Sequence, residues 1–280
     1  MPDFNIELLL ATETAKVWDT WCNGCGEHLC VDKWSETPQL VFPYRGLFVR
    51  HRGEEMCVAE AGQVLLSNVC ENYRVTHPVR GSDSNLIVVI EESMLRELIP
   101  KTLLCEEKPI AFRVERLRID ARAQALVAML RHSLCEKIAE PLEAESLALT
   151  LAQRALGPRT SHAAITQGAR HNLVDRTKLV LAGDLSRRWT LAEIAAEIGV
   201  SPVYLTQVFQ QAEGLPLYRY QLRLRLSRAL DLLGEYEDLT QLALDLGFSS
   251  HSHFSAAFLR TYDRSPSEFR EAVIRRRARR

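Results

Sequence analysis

The sequence predicts an α+β chain in two parts: a strand-rich N-terminal β-sandwich or barrel followed by two helices, then an all-α C-terminal domain built from two helix-turn-helix units. Three observations carry this. A short pattern is written twice, as Ile194-Ala195-x2-Ile198-Gly199-Val200-Ser201-x3-Leu205-x3-Phe209 and as Leu242-Ala243-x2-Leu246-Gly247-Phe248-Ser249-x4-Phe254-x3-Phe258. Upstream, short β-branched or aromatic runs are separated by Gly, Pro, Asn and Asp. Between the two regions a helical pattern stops at Gly157-Pro158 and polar residues follow, which divides the chain into 1–156, a linker over 157–170, and 171–280.

In chain order, the strand candidates are 46–50, 56–58, 64–66, 73–76 and 86–90, whose spacing fits an antiparallel sandwich or barrel. Helices are expected over 120–136, with Leu126, Val127, Leu130 and Leu134 on an apolar stripe, and over 141–156, with Leu147, Leu149, Leu151 and Leu156. In the first helix-turn-helix unit Thr190 and Glu193 form a capping box for a helix over 191–198, Gly199 makes the left-handed turn, and Ser201 caps a second helix with Pro202 at its first position. Leu205, Val208 and Phe209 then face inward, leaving Ser201, Val203, Tyr204, Thr206 and Gln207 as DNA-contact candidates. In the second unit Thr240 caps, Ser249 or Ser250 restarts the helix, and Phe254 and Phe258 anchor it, with Ser250, His251, Ser252 and Ser255 at the outer face. A connecting helix over 217–234 carries Leu222, Leu226, Ala229, Leu230 and Leu233, with Arg223, Arg225 and Arg228 interleaved.

Formal net charge is −1, but it is unevenly spread: 171–280 holds 16 Lys/Arg against 13 Asp/Glu, and 1–170 holds 19 against 23. Five of the last six residues are arginine, a tail suited to phosphates or to solvent. With 46% hydrophobic residues the chain can bury sizeable cores. No run approaches a membrane span and the N-terminus lacks a signal-peptide pattern, so a cytoplasmic protein without a membrane partner is expected. Walker, dinucleotide, His-Glu-x2-His and nucleophile-elbow motifs do not occur, so no enzyme is expected.

The segment over roughly 171–275 resembles the DNA-binding domain of the AraC/XylS family of bacterial transcription regulators. The likeness rests on Gly214 with Tyr220, on Arg225-Leu226-x2-Ala229-x2-Leu232-Leu233, on Gly247-Phe248-Ser249…Phe254-x3-Phe258, and on Ser265-Pro266-Ser267-Glu268-Phe269-Arg270. Ala256 stands where family members often place an arginine, which leaves base reading by the second unit to His251, Ser252 and Ser255. The resemblance implies a sequence-specific regulator, an activator acting with RNA polymerase on double-stranded promoter DNA. It also implies a cupin-like N-terminal domain that senses a small-molecule, metal or redox signal, and a homodimer formed through the helices before the linker. Two rival readings are a methyl acceptor of the DNA-alkylation-repair type, with Cys22, Cys25, Cys30 and Cys57 as its cysteine set, and a DNA binder with no effector.

Trp18-x2-Trp21-Cys22-x2-Cys25-x2-His28-x-Cys30 is the most distinctive N-terminal stretch. Cys22, Cys25, His28 and Cys30 could ligate a transition metal, Cys22 and Cys25 could be a redox pair, or the thiols could pack beside the tryptophans; all three stay open. His51 and His77 lack the His-x-His and Glu context of metal-binding cupins, and Cys57, Cys70, Cys105 and Cys135 read as core.

Overall fold

A computed structural model describes residues 4–22, 30, 33–79, 83–105, 110–157 and 169–274. The N-terminal half is built on two antiparallel sheets. The larger contains β1 (Phe4–Ala11), β2 (Ala15–Cys22), β3 (Gln39–Arg45), β6 (Gln63–Ser67), β8 (Asp83–Ile90) and β9 (Arg116–Arg118), in the order β1-β2-β8-β3-β6-β9. The smaller holds β4 (Leu47–Arg52), β5 (Glu55–Glu60) and β7 (Arg74–Thr76), in the order β5-β4-β7. Val41 and Leu65 of the first sheet pack on Phe48, Ala59 and Val75 of the second. Among the described residues no strand pairing joins the two, so the half is a two-sheet structure and not a closed barrel.

Five of the strands match the expected runs; β1, β2, β3 and β9 were not anticipated. Pro43 is tolerated inside β3 because β6 pairs only with Gln39–Val41, and the ladder with β8 shifts register just after Pro43. The stretch from Trp18 to Cys22 is the end of β2.

Three helices cover the larger sheet: α1 (Glu92–Leu98), α2 (Ala121–Cys135) and α3 (Pro141–Leu156). Asp120 caps α2 by accepting from the Ala123 N–H and also binds Arg154 of α3 at 2.8 Å, tying the two helices together. The inward face of α3 is mainly Ala144, Ala148, Ala152 and Ala155 with Leu151 and Leu156, while Leu147 and Leu149 are only partly buried, because small residues permit the close approach of the helix. Leu130 and Leu151 are 0% exposed, so the stripe expected to serve self-association is spent inside the chain. The opposite face of α2, through Ala121, Ala125, Ala128 and Met129, packs against the C-terminal core.

The C-terminal half begins with α4 (Ala169–Gly183) and continues through α5 (Leu191–Ile198), α6 (Pro202–Glu213), α7 (Leu217–Leu232), α8 (Leu239–Asp245), α9 (His251–Tyr262) and α10 (Pro266–Ile274). Two cores flank α7: Val174, Ile194, Leu205 and Phe209 on one side, Leu242, Phe254, Phe258 and Phe269 on the other. Gly157 apart, the linker residues before α4 lie outside the described residues. Leu179 and Ala182 of α4 pack on Leu47, Val49 and Val58, so the two halves share a buried junction.

Candidate nucleic-acid interface

The first unit has the predicted construction. Thr190 accepts from the Glu193 N–H at 3.2 Å while Glu193 accepts from the Thr190 N–H at 2.8 Å, closing the capping box on α5. The Thr190 hydroxyl, donating to the Glu193 carboxylate at 2.7 Å, then the Thr190 N–H and Arg187 at 2.9 Å, hold that carboxyl down at about 2. Gly199 follows at φ +78°. Ser201 caps α6 by accepting from the Tyr204 N–H at 3.2 Å, and Pro202 sits at the first turn, where its missing N–H costs nothing.

The second unit differs in its cap. Asp238, not Thr240, starts α8 by accepting from the Thr240 N–H at 2.7 Å; both are competent capping residues, and Asp238 stands where the chain leaves extended geometry. Gly247 makes the turn at φ +78°, and Ser250 caps α9 through the His253 N–H at 3.1 Å. A run of ring contacts from Phe248 through Phe254, Phe258 and Phe269 fixes α9 from behind.

Each candidate contact residue can now be placed. On α6, Val203 and Tyr204 are 68% and 44% exposed, Gln207 is exposed with Gln210 and Gln211 beside it, and the half-buried Thr206 donates its hydroxyl to Pro202 O at 2.9 Å. The Thr206 proton is thus held by the helix, and Gln207 is the amide best presented outward. On α9, Ser252 is exposed, whereas the half-buried His251 and Ser255 bond each other at 3.3 Å. His253, Ala256 and Arg260 are also exposed on α9. Arg260, which was not singled out from the sequence, supplies a cation one turn after Ala256.

Arg225 fixes the relation between the units. Its guanidinium donates to Leu185 O at 2.7 Å, Arg187 O at 2.9 Å and Gly247 O at 3.0 Å, joining the chain just before α5 to the turn before α9. Arg225 was expected as an interleaved charge and is instead 9% exposed; burial pushes its pKa down. A Cβ on Gly247 would lie 2.4 Å from Ser186 O and 2.7 Å from the Arg225 guanidinium, so this turn needs glycine for space as well as for φ.

Buried polar contacts join the C-terminal helices to the N-terminal half. Lys178 of α4 lies between Glu60 of β5, at 3.0 Å, and Glu213 at the end of α6, at 2.9 Å. The Tyr220 hydroxyl donates to Glu60 and the Arg118 guanidinium to Glu213. Gln124 of α2 accepts from Ser227 of α7 at 3.2 Å and from Tyr262, the last residue of α9, at 3.1 Å. Asp231 of α7 accepts from Arg45 at 2.8 Å and from Arg131 at 3.2 Å.

The helix-turn-helix domain family model matches residues 194–272, spanning both units. Over these residues the chain carries a helix-turn-helix domain of the AraC type. It is 32% identical over 158 residues to the HTH-type transcriptional activator RhaR of Klebsiella pneumoniae, covering 54% of each chain. It is 23% identical over 243 residues to the HTH-type transcriptional regulator GadX of Escherichia coli O127:H6, covering 86% of this chain and 85% of that one. The chain thus spans about half the length of the RhaR relative. Among solved structures, an AraC-type DNA-binding-domain regulator from Chromobacterium violaceum is similar at 29% identity and TM-score 0.35, covering 36% of this chain and 92% of that one.

The cysteine expectations fare differently. Cys25 and His28 lie outside the described residues. Cys30 is disulfide-bonded, whereas Cys22 is a buried thiol that lies, among the described residues, beside His77 and Asp83. Of the four cysteines read as core, Cys57 is buried and Cys105 half-buried, but Cys70 and Cys135 are exposed; Cys70 sits in a turn at φ 56° and Cys135 is the last residue of α2. His51 bonds Thr76 across the β4–β7 ladder at 2.8 Å.

Proposed function

We propose that the protein is a sequence-specific transcription regulator that lays α6 and α9 in successive major grooves of promoter DNA, about one helical turn apart. The observation that carries this is the pair of capped helix-turn-helix units held in fixed relation by Arg225. Val203, Tyr204 and Gln207 with Ser252 are the base-edge candidates, while Ser201, Thr206, Ser250, His251 and Ser255 shape and cap the reading helices.

We further read the N-terminal half as a cupin-like sensing domain and the whole as a homodimeric, cytoplasmic activator that engages RNA polymerase. The similarity to HTH-type regulators and activators supports the sensing and activating roles. A cavity of about 320 Å³ at the junction of the halves supports a small organic effector: Tyr44, Gln124 and Arg131 line it from one side and Ser227, Asp231 and Phe269 from the other. A ligand there touches the same Gln124 and Asp231 that tie the sheet half to α7 and α9. Because Leu130 and Leu151 are buried, a dimer has to use other surfaces, and Phe4, Ile6 and Leu8 form an exposed apolar row on edge strand β1.

Genomic footprinting of the full chain, followed by binding of Gln207→Ala to the recovered site, tests the DNA-reading role. Loss of about 1–3 kcal/mol on the cognate site with unchanged affinity for random DNA is expected. Equal loss on both rejects base reading by α6.

A further inference from the structure

Cys22 closes β2, and the antiparallel register sets it directly opposite Asp83, the first residue of β8. His77 arrives from the other sheet, one residue beyond β7. The Cys22 thiol, the His77 imidazole and the Asp83 carboxylate each offer one donor atom, and these atoms lie within 4.8 Å of one another. All three residues are buried, with 2%, 4% and 5% exposure. We infer that Cys22, His77 and Asp83 form a binding site for a zinc-class divalent cation that clamps the two sheets together.

The chemistry of the donors selects the ion. Thiolate, imidazole and carboxylate together suit Zn²⁺, a borderline-soft cation that accepts S, N and O ligands; a soft monovalent ion would refuse the carboxylate, and Mg²⁺ or Ca²⁺ the thiolate. Bonds of about 2.0–2.3 Å place tetrahedral ligand atoms about 3.3–3.7 Å apart. His77 Nε2 and Asp83 Oδ1 stand 2.5 Å apart, so they must separate by about 1 Å to admit the ion between them. The site has outer support: Asn85, on β8, donates to Asp83 Oδ2 at 3.0 Å, fixing the carboxylate while leaving its other oxygen toward His77. Three protein donors leave a fourth position for water or a small ligand.

The competing arrangement is a buried His–Asp pair whose charge is balanced by Lys33. Its ammonium stacks 3.8 Å from the Phe4 ring, and burial pushes its pKa down while Asp83 and Cys22 pull it up. The two arrangements differ in uptake of an added ion. The inference needs no assumption about DNA and stands if the regulator reading fails.

The experiment uses the full chain, purified under reducing conditions with metal removed, and zinc titrated against a chromophoric chelator. One equivalent is expected, with a rise in melting temperature that grows with free zinc, because only the folded chain assembles the site. Cobalt(II) in place of zinc should show a thiolate charge-transfer band that Cys22→Ser abolishes. His77→Ala and Asp83→Asn should each weaken zinc binding by at least about 100-fold, beyond the loss typical of outer-shell changes, whereas a Cys25→Ser/His28→Ala variant keeps it. Circular dichroism and melting of the metal-free variants establish that they fold. A wild-type chain that takes up no stoichiometric zinc overturns the inference without recourse to any variant. So does wild-type affinity in folded His77→Ala and Asp83→Asn.

Discussion

Lys178→Met removes the cation between Glu60 and Glu213 while nearly preserving the volume of the side chain. Lys178 is 1% exposed, and its ammonium lies 3.0 and 2.9 Å from the two carboxylates. Burial pushes its pKa down, and the Glu60 carboxylate pulls it back up. Breaking a buried pair by deleting one partner costs about 3–5 kcal/mol, because the remaining charge is left uncompensated. Here the Tyr220 hydroxyl still serves Glu60 and Arg118 still serves Glu213, which sets the expectation at the low end, about 3 kcal/mol. That is a large fraction of a typical folding free energy of about 5–15 kcal/mol. Urea denaturation followed by circular dichroism and by tryptophan fluorescence measures it, and adding Glu60→Gln to Lys178→Met should recover part of the loss by removing one orphaned charge. A loss below about 1 kcal/mol, or no recovery in the double variant, would refute the claim that this buried triad joins the two halves.

Two further outcomes follow from the turns and caps. Gly199 and Gly247 share φ +78°, but a Cβ on Gly199 meets open space while one on Gly247 meets Ser186 O and Arg225. Gly199→Ala should therefore cost only the left-handed penalty of about 1–2 kcal/mol, and Gly247→Ala distinctly more; equal midpoint shifts in chemical denaturation would contradict this. Glu193 has a folded pKa of about 2, below its ordinary 4.5, so its stabilisation is complete above that ordinary value and disappears as pH falls toward 2. The difference in melting temperature between the wild type and Glu193→Gln should shrink across that interval, and a constant difference would remove the capping box as its source.

The helix-turn-helix units were legible because their determinants are local. A serine cap, a glycine turn and apolar residues at helical spacing all lie within about twenty residues, and the helix over 141–156 was found for the same reason, with Pro141 at its start. The first three strands were missed for equally concrete reasons. β2 buries Asp19 and Thr20 side by side, which breaks alternation, and β3 carries Pro43, which argues against a central strand until its short pairing with β6 is seen. Contacts distant in sequence were invisible: Lys178 and Glu60 are 118 residues apart. Cys22 illustrates both sides. Its neighbours Cys25, His28 and Cys30 drew attention by proximity along the chain, yet the β2–β8 register delivers Asp83 and the return of β7 delivers His77, neither of which any local pattern announces.

With α6 and α9 reading DNA as proposed, Arg225 makes the pair behave as a gauge rather than as two independent probes. One planar guanidinium holds three carbonyls from two turns, so a change in the angle between α6 and α9 has to break charge-assisted hydrogen bonds that burial has made costly to lose. An operator lengthened by a single base pair moves its second half by about 3.4 Å and roughly a tenth of a turn. Strain from that mismatch falls on the duplex, which bends or twists more cheaply than the junction opens. Half-site spacing, and the flexibility of the base steps between half-sites, then become part of the sequence the protein recognises, even at positions no side chain touches.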